Sequence, residues 1–270
     1  MDNYISTVIN KRTEPEQNNS FQHNKQNLKG IAAGAAIALG YPAPNYLINP
    51  KLLKSIKTDD ALNISKQQVD NVLIAMTKKF KLDEKGFKAL YFPVDSEEGK
   101  FLTKNCGGMA FFFSSKQGIN QAESVVNKLY WLIHETGHAV NGNCTKLGKF
   151  YYNNIARHMP TAKFLGVPIL IGLGLSHNKN KEDKGYNKFT KFFEKHIGVL
   201  ATLPFIPGLI DEATASLRGL KFIKKLEPSI YKAARRNFGI GFMTYATEAA
   251  LAVGGAKLAI YLKDKIASKP

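Results

Sequence analysis

The chain has 270 residues and a formal net charge of +17, from 38 Lys and Arg against 21 Asp and Glu, and 44% of it is hydrophobic. That length and apolar content suit one large domain or two small ones with a substantial core. Two cysteines, Cys106 and Cys144, exclude a disulfide framework, and the polar first 28 residues, rich in Asn, Gln and Lys, exclude a standard secretory signal.

The predicted elements begin after that tail. Residues 1–28 lack the apolar side chains that would offset the entropy of ordering and are expected to be disordered. An Ala/Gly-rich apolar run follows at 30–40, extends through Leu47 and Ile48, and is interrupted by Pro42 and Pro44. The core of this run is shorter than the roughly 20 residues a bilayer requires. Residues 65–81 place Val69, Val72, Leu73, Met76 and Phe80 at helical spacing, which predicts an amphipathic helix. Two strand-like pieces come next, at 87–94 and 108–114. Residues 120–141 read as one long helix. Asn120 is its cap, Glu123 completes a capping-box-like start, Ala122, Val126, Leu129 and Ile133 fall at steps of three to four, and Asn141-Gly142 supplies the stop. Apolar runs at 164–175 and 197–210 are joined by a Lys-rich connector, 178–195. A helix from about Leu209 to Leu226 and a long apolar segment, 238–262, broken by Glu248 and Lys257, complete the chain. The expected architecture is mainly α with a small β-sheet.

The chemistry concentrates at His134-Glu135-Thr136-Gly137-His138. Two histidines four residues apart on a helix share one face, one turn apart, so both imidazoles can reach one ion at about 2.0–2.1 Å. Glu135 projects toward that ion without having to bind it and is placed to take a proton from a water that zinc has acidified. Gly137, costing about 1 kcal/mol inside a helix relative to Ala, suggests a close packing approach.

Two histidines leave a catalytic zinc one protein ligand short. Cys144 lies ten residues after His134, where a metzincin would carry its third ligand, but Asn141 stands where that pattern requires Gly and Cys144 where it requires His. Glu212, in Asp211-Glu212-Ala213-Thr214-Ala215-Ser216, is the better-placed alternative. A carboxylate near a helix start also serves as a dipole partner. The small residues Ala213, Ala215, Ser216 and Gly219 would let this helix pack close to the first, and Ser216 is a candidate to support a ligand from behind.

Three stretches together carry a resemblance. They are HETGHA at 134–139, the Glu-x-x-Ala-Ser pattern at 212–216 continuing as Leu217-Arg218-Gly219-Leu220, and Thr244-Tyr245-Ala246-Thr247-Glu248-Ala249-Ala250-Leu251. Over roughly residues 60–262 the chain resembles the bacterial membrane-associated neutral zinc metallopeptidases, relatives of the gluzincins that include the heat-shock membrane proteases and the CAAX-prenyl proteases. The resemblance implies a zincin-like core with apolar, membrane-inserted helices and Zn2+ bound by His134, His138 and Glu212. It also implies catalysis by Glu135 and location in a bacterial inner membrane. The 74 residues from His138 to Glu212 accommodate apolar segments between the motifs. Asp211, Thr214, Glu248 and Lys257 depart from the family pattern. In zincin folds an edge strand above the active-site helix pairs with extended substrate, which assigns Gly108, Met109, Ala110 and Phe111 to substrate binding. Neither His158 nor Tyr186 is singled out as an oxyanion partner.

The expected partners are a protein or peptide substrate and anionic membrane lipid. A soluble metalloprotease associated with nucleic acid is an alternative prompted by the charge, but the basic residues are not interleaved with a stacking aromatic cluster, and the apolar Gly-rich runs suit lipid or a helical core better. A membrane protein with a non-catalytic metal is the third reading.

Overall fold

The computed structural model describes residues 28–105, 110–114, 120–179 and 185–267. The tail expected before Leu28 lies outside them, as do Cys106, Gly108 and Met109. In chain order the elements are helices α1 (28–40), α2 (Asn45–Lys54), α3 (Asp59–Leu62) and α4 (Lys66–Phe80), strand β1 (Lys88–Phe92), α5 (Glu97–Asn105), and strands β2 (Ala110–Phe113) and β3 (Gln121–Val125). Helices α6 (Trp131–Cys144), α7 (Lys146–Phe150), α8 (Met159–Thr161), α9 (Val167–Leu175), α10 (Gly185–Thr202), α11 (Ile206–Leu226) and α12 (Tyr231–Ala267) follow. The protein is thus mainly helical with one small sheet, an α+β arrangement.

The elements form two compact units. One comprises Met1–Ala43, Lys163–Leu203 and Ala250–Pro270, and the other Pro44–Ala162 and Pro204–Ala249. The second carries the sheet, whose order is β1-β3-β2. Strand β1 runs parallel to β3 with Lys88 opposite Gln121, and β2 runs antiparallel to it with Ala110 opposite Ser124. Helix α4 forms as expected. Ser65 and Gln68 close a reciprocal capping box, and Val69, Val72, Leu73 and Met76 are buried. They join Phe87, Phe112, Ala122, Tyr130, Trp131, Ile133, Ile223 and Phe238 in one core around α6. Every residue of α6 from Trp131 to Asn141 is buried, so this helix is enclosed on all sides.

The long helix expected over 120–141 is corrected here. Residues Gln121–Val125 are the central strand, a 3-10 turn covers Val126–Lys128, and the helix starts only at Trp131. Asn120 is not a cap; its backbone is left-handed, with φ 48°. The start of α6 is fixed from 70 residues upstream, where the buried Asp59 carboxylate accepts hydrogen bonds from the backbone N–H of Leu129 and of Tyr130. Burial pushes the Asp59 carboxyl up to about 6, against the opposing effect of those two amides. The connector expected over 178–195 is also shorter than its composition suggested, because α10 already begins at Gly185.

The other unit is helical throughout its described residues. Gly30 and Gly34 of α1 form a G-x-x-x-G pair. A Cβ on Gly30 would lie 2.8 Å from the Lys263 carbonyl oxygen, and one on Gly34 would lie 2.4 Å from the Leu175 side chain and 3.1 Å from the Ala259 carbonyl oxygen. Glycine is what permits this approach. Buried Lys263 reaches Glu194 of α10 at 2.7 Å and the His177 carbonyl at 3.2 Å, so its charge is paired. Three helical stretches are long and apolar enough to cross a membrane: Leu28–Lys54, Lys146–Leu175 and Gly185–Leu226. The 238–262 segment is not among them; Glu248, Lys257 and its many small residues lower its hydropathy.

Candidate metal centre

All the residues of the centre lie in the sheet-bearing unit. Helix α6 presents His134 and His138 one turn apart, and α11 crosses it at close range. The approach is set by Gly137, where a Cβ would stand 2.4 Å from the Ala215 carbonyl oxygen and 2.8 Å from the Ala215 Cα. Helix α11 begins at Ile206 with Pro207 in its first turn, which puts Glu212 in the second turn, facing α6.

Three ligand atoms converge. His134 Nε2 and His138 Nε2 are 3.1 Å apart, and Glu212 Oε2 lies 3.3 Å from the first and 3.6 Å from the second. A tetrahedral ion with ligand bonds of about 2.0–2.1 Å has ligand–ligand edges of about 3.3 Å, so the three observed separations bracket that edge. Two neutral imidazole nitrogens and a carboxylate oxygen turned toward one point repel one another unless a cation or a proton lies between them. His134, His138 and Glu212 are the group that could hold a metal ion among the described residues, and two imidazoles with one carboxylate suit zinc.

Each histidine is held from behind. His138 Nδ1 donates to Asp211 Oδ2 at 2.7 Å, which leaves Nε2 as the free acceptor. Asp211 is itself fixed. The Tyr152 hydroxyl donates to Oδ2 at 2.7 Å, and Asn141 Nδ2 donates to Oδ1 at 2.8 Å. Arg218 Nε then donates to Asn141 Oδ1 at 2.8 Å, which orients that amide. His134 Nδ1 bonds with Ser216 Oγ at 3.0 Å, one helical turn beyond Glu212. Both rings are therefore locked with the same nitrogen facing the centre.

The electrostatics match this geometry. Burial disfavours a charged His138, but the Asp211 and Glu212 carboxylates outweigh it and hold the ring well above its ordinary value. Glu135 is also buried. Burial raises its carboxyl, and Glu212 and Asp211 add to the rise while the two histidines oppose it. A carboxylate raised in this way is a stronger proton acceptor at neutral pH.

The structure brings His134, Glu135, His138 and Glu212 together, as their sequence patterns anticipated. It places Cys144 elsewhere: this residue ends α6, and its Sγ lies 3.5 Å from the Phe80 carbonyl oxygen. Ala110 and Phe111 fall on β2, which is an edge of the sheet. Gly108 and Met109 lie outside the described residues. The ring of His158 engages Arg157 at 3.0 Å, and Tyr186 belongs to the helical unit. Three residues went unrecognised in the sequence. Asp211 had registered only as a departure from a pattern. Tyr152 sits in a π-helical turn, Tyr151–Ile155, with no local signature, although such turns gather at functional sites. Tyr245 of α12 turns its hydroxyl toward Glu212 and lies in the field of Glu135.

With this geometry established, comparison with known proteins adds no identification: no protein-family model, no characterised protein and no solved structure matches the chain.

Proposed function

We propose that this chain is a zinc-dependent metallopeptidase working at a membrane. The observation that carries the proposal is the convergence of two buried imidazole nitrogens and one carboxylate oxygen at the edge lengths of a tetrahedron, with a second, non-ligand carboxylate, Glu135, on the helix of the two histidines. Three protein ligands leave one position for a reactant, which favours a catalytic centre over a structural one. Zinc held there would polarise a peptide carbonyl and acidify a water. Glu135 would accept a proton from the attacking water and return it to the amine nitrogen that leaves as the peptide C–N bond breaks. Asp211, Ser216, Asn141 and Tyr152 keep the histidines aimed.

The wider reading draws on the same residues. An active-site helix beneath a small sheet, and a second helix bringing a carboxylate, support a zincin-like core and the resemblance to membrane-associated neutral zinc metallopeptidases. Edge strand β2 offers Ala110 and Phe111 to an extended peptide, which would add as a further strand. The three apolar stretches and the glycine-mediated packing of α1 support a membrane location, in keeping with a bacterial inner membrane protein.

The test is metal analysis coupled to a cleavage assay on a mixed peptide library, in purified full-length protein. Wild type is expected to hold one zinc and to cleave peptides. Glu212→Ala should lose the metal and Cys144→Ala should keep it; the reverse result would overturn the ligand set. Glu135→Gln should keep the metal and lose cleavage, and a variant as active as wild type would remove Glu135 from its role.

A further inference from the structure

The first half of α10 carries two adjoining stripes on its outer face. At about 100° per residue, Asn187, Thr190, Ile197 and Ala201 share one side of the helix, and these are its buried residues. The outward side holds Phe189 and Phe192, which are 53% and 52% exposed, with half-buried Phe193 and His196 beside them; Tyr186, 64% exposed, stands in the first turn on the border of the buried side. The rings of Phe189, Phe192, Phe193 and His196 form a continuous cluster. Phe189 and Phe193 have centroids 4.8 Å apart, Phe192 and Phe193 are 5.6 Å apart, and Phe192 and His196 are 4.8 Å apart. Lys188, Lys191 and Lys195, all exposed, run along the flank of this cluster at steps of three and four.

An isolated exposed aromatic needs no explanation, but a contiguous aromatic cluster beside a parallel row of lysines does. Aromatic rings favour the boundary between headgroups and acyl chains, and lysine stems lie along apolar surface while their ammonium groups stay at the phosphate level. The chain becomes more apolar beyond His196, with Val199 near the end of α10 and Leu203 just past it exposed. We propose that this face of α10 is an interfacial seat, with Phe189 and Phe192 at headgroup depth and Lys188, Lys191 and Lys195 binding anionic phospholipid. The row of positive charge specifies the occupant, because a neutral apolar partner would leave three ammonium groups unpaired. The inference rests on the membrane location proposed above and is independent of the metal chemistry.

The experiment uses the full chain reconstituted into phosphatidylcholine vesicles containing phosphatidylglycerol, with Phe192→Trp as a probe. The chain's only other tryptophan, Trp131, is buried at 2% exposure and gives a constant background. The probe should be quenched most by lipids brominated near the headgroup end of the acyl chain. Brominated phosphatidylglycerol should quench more effectively than brominated phosphatidylcholine, by about fivefold in relative binding, the worth of one lysine near the surface. Lys188→Gln with Lys191→Gln and Lys195→Gln should abolish that preference and leave the depth unchanged. Quenching by aqueous acrylamide alone, in protein that still floats with the vesicles, would overturn the seat while leaving the membrane location intact. Strongest quenching by deeply brominated lipid, with no anionic preference, would overturn it in favour of burial in hydrocarbon. Failure of the chain to float with vesicles at all would overturn both readings.

Discussion

Gly137→Ala tests whether helix approach builds the metal centre. The new methyl would stand 2.4 Å from the Ala215 carbonyl oxygen and 2.8 Å from the Ala215 carbonyl carbon and Cα. These are backbone atoms that cannot rotate aside, and the shortest contact falls about 1 Å inside van der Waals separation. Helices α6 and α11 must part by about that distance. Glu212 lies one turn before Ala215 and would be carried off with α11, whereas a zinc site tolerates only about ±0.2 Å in its ligand distances. Alanine favours the helix itself by about 1 kcal/mol, while overpacking costs about 1–3 kcal/mol. The net loss of stability is therefore modest, up to about 2 kcal/mol, or a fall in Tm of several degrees. Zinc affinity should fall much further, by at least about tenfold. The assay is competitive zinc titration against a chelating dye, alongside thermal unfolding of the metal-free and zinc-loaded protein. Gly219→Ala is the comparator. Its methyl would meet Ile133 Cγ2 at 3.0 Å and the Ile133 carbonyl oxygen at 3.3 Å, contacts that need a shift of a few tenths of an ångström rather than about 1 Å, so that variant should keep more of its zinc affinity than Gly137→Ala. A Gly137→Ala protein with wild-type zinc affinity would refute the argument that this glycine sets the site.

Further outcomes follow from the same geometry. Because the neighbouring carboxylates raise His138, its proton competes with the metal, and apparent zinc affinity should rise with pH through neutrality; Asp211→Asn should flatten that dependence and weaken binding about 10–100-fold by titration. Tyr245→Phe removes the hydroxyl turned toward Glu212 and should weaken zinc binding by about tenfold or more, as loss of a group supporting a metal ligand does; unchanged zinc affinity would remove Tyr245 from the site. Asp59 has a folded-state value of about 6 against an ordinary 3.8, so its proton stabilises the fold: the destabilisation is absent below about pH 4, grows as pH rises, and is complete above about pH 6. At most about 3 kcal/mol is involved, less what hydration of the carboxylate screens, and Asp59→Asn, which can still accept from Leu129 and Tyr130, should remove the slope in denaturant unfolding measured from pH 4 to 7.

How much of this was legible in the sequence depends on whether the interaction concerned is local. The His134–His138 face and the apolar face of α4 from Val69 to Met76 are encoded by local helical spacing, and both stand in the structure. Glu212 could be reached because a zinc site with two histidines demands a third ligand, and the small residues around it marked a helix able to come close. The central strand could not be reached this way. Gln121–Val125 contains little that favours a strand, and its apolar residues happen to continue the spacing of α6. It is a strand because β1 and β2 flank it on both sides, a contribution from residues up to 33 positions away. The cap of α6 was misplaced for the same reason. Asn120 has the right residue type, yet the side chain that anchors the turn leading into α6 is Asp59, 70 residues upstream, which accepts from the amides of Leu129 and Tyr130.

Asp211 makes the point within the centre itself. Beside Glu212 in the sequence it reads as an irregularity, because nothing local says which carboxylate of the pair faces the two histidines. Adjacent positions on a helix differ by about 100° in direction, so the two cannot both face the same point. In the structure Glu212 turns its oxygen to the Nε2 atoms while Asp211 meets His138 on its opposite nitrogen. One residue pair thus addresses both sides of the same imidazole. A ring pinned at Nδ1 by a carboxylate that Tyr152, Asn141 and Arg218 hold in turn has little freedom left at Nε2. Asp211 is therefore part of the centre: it holds His138 in the tautomer that leaves Nε2 turned toward His134 and Glu212.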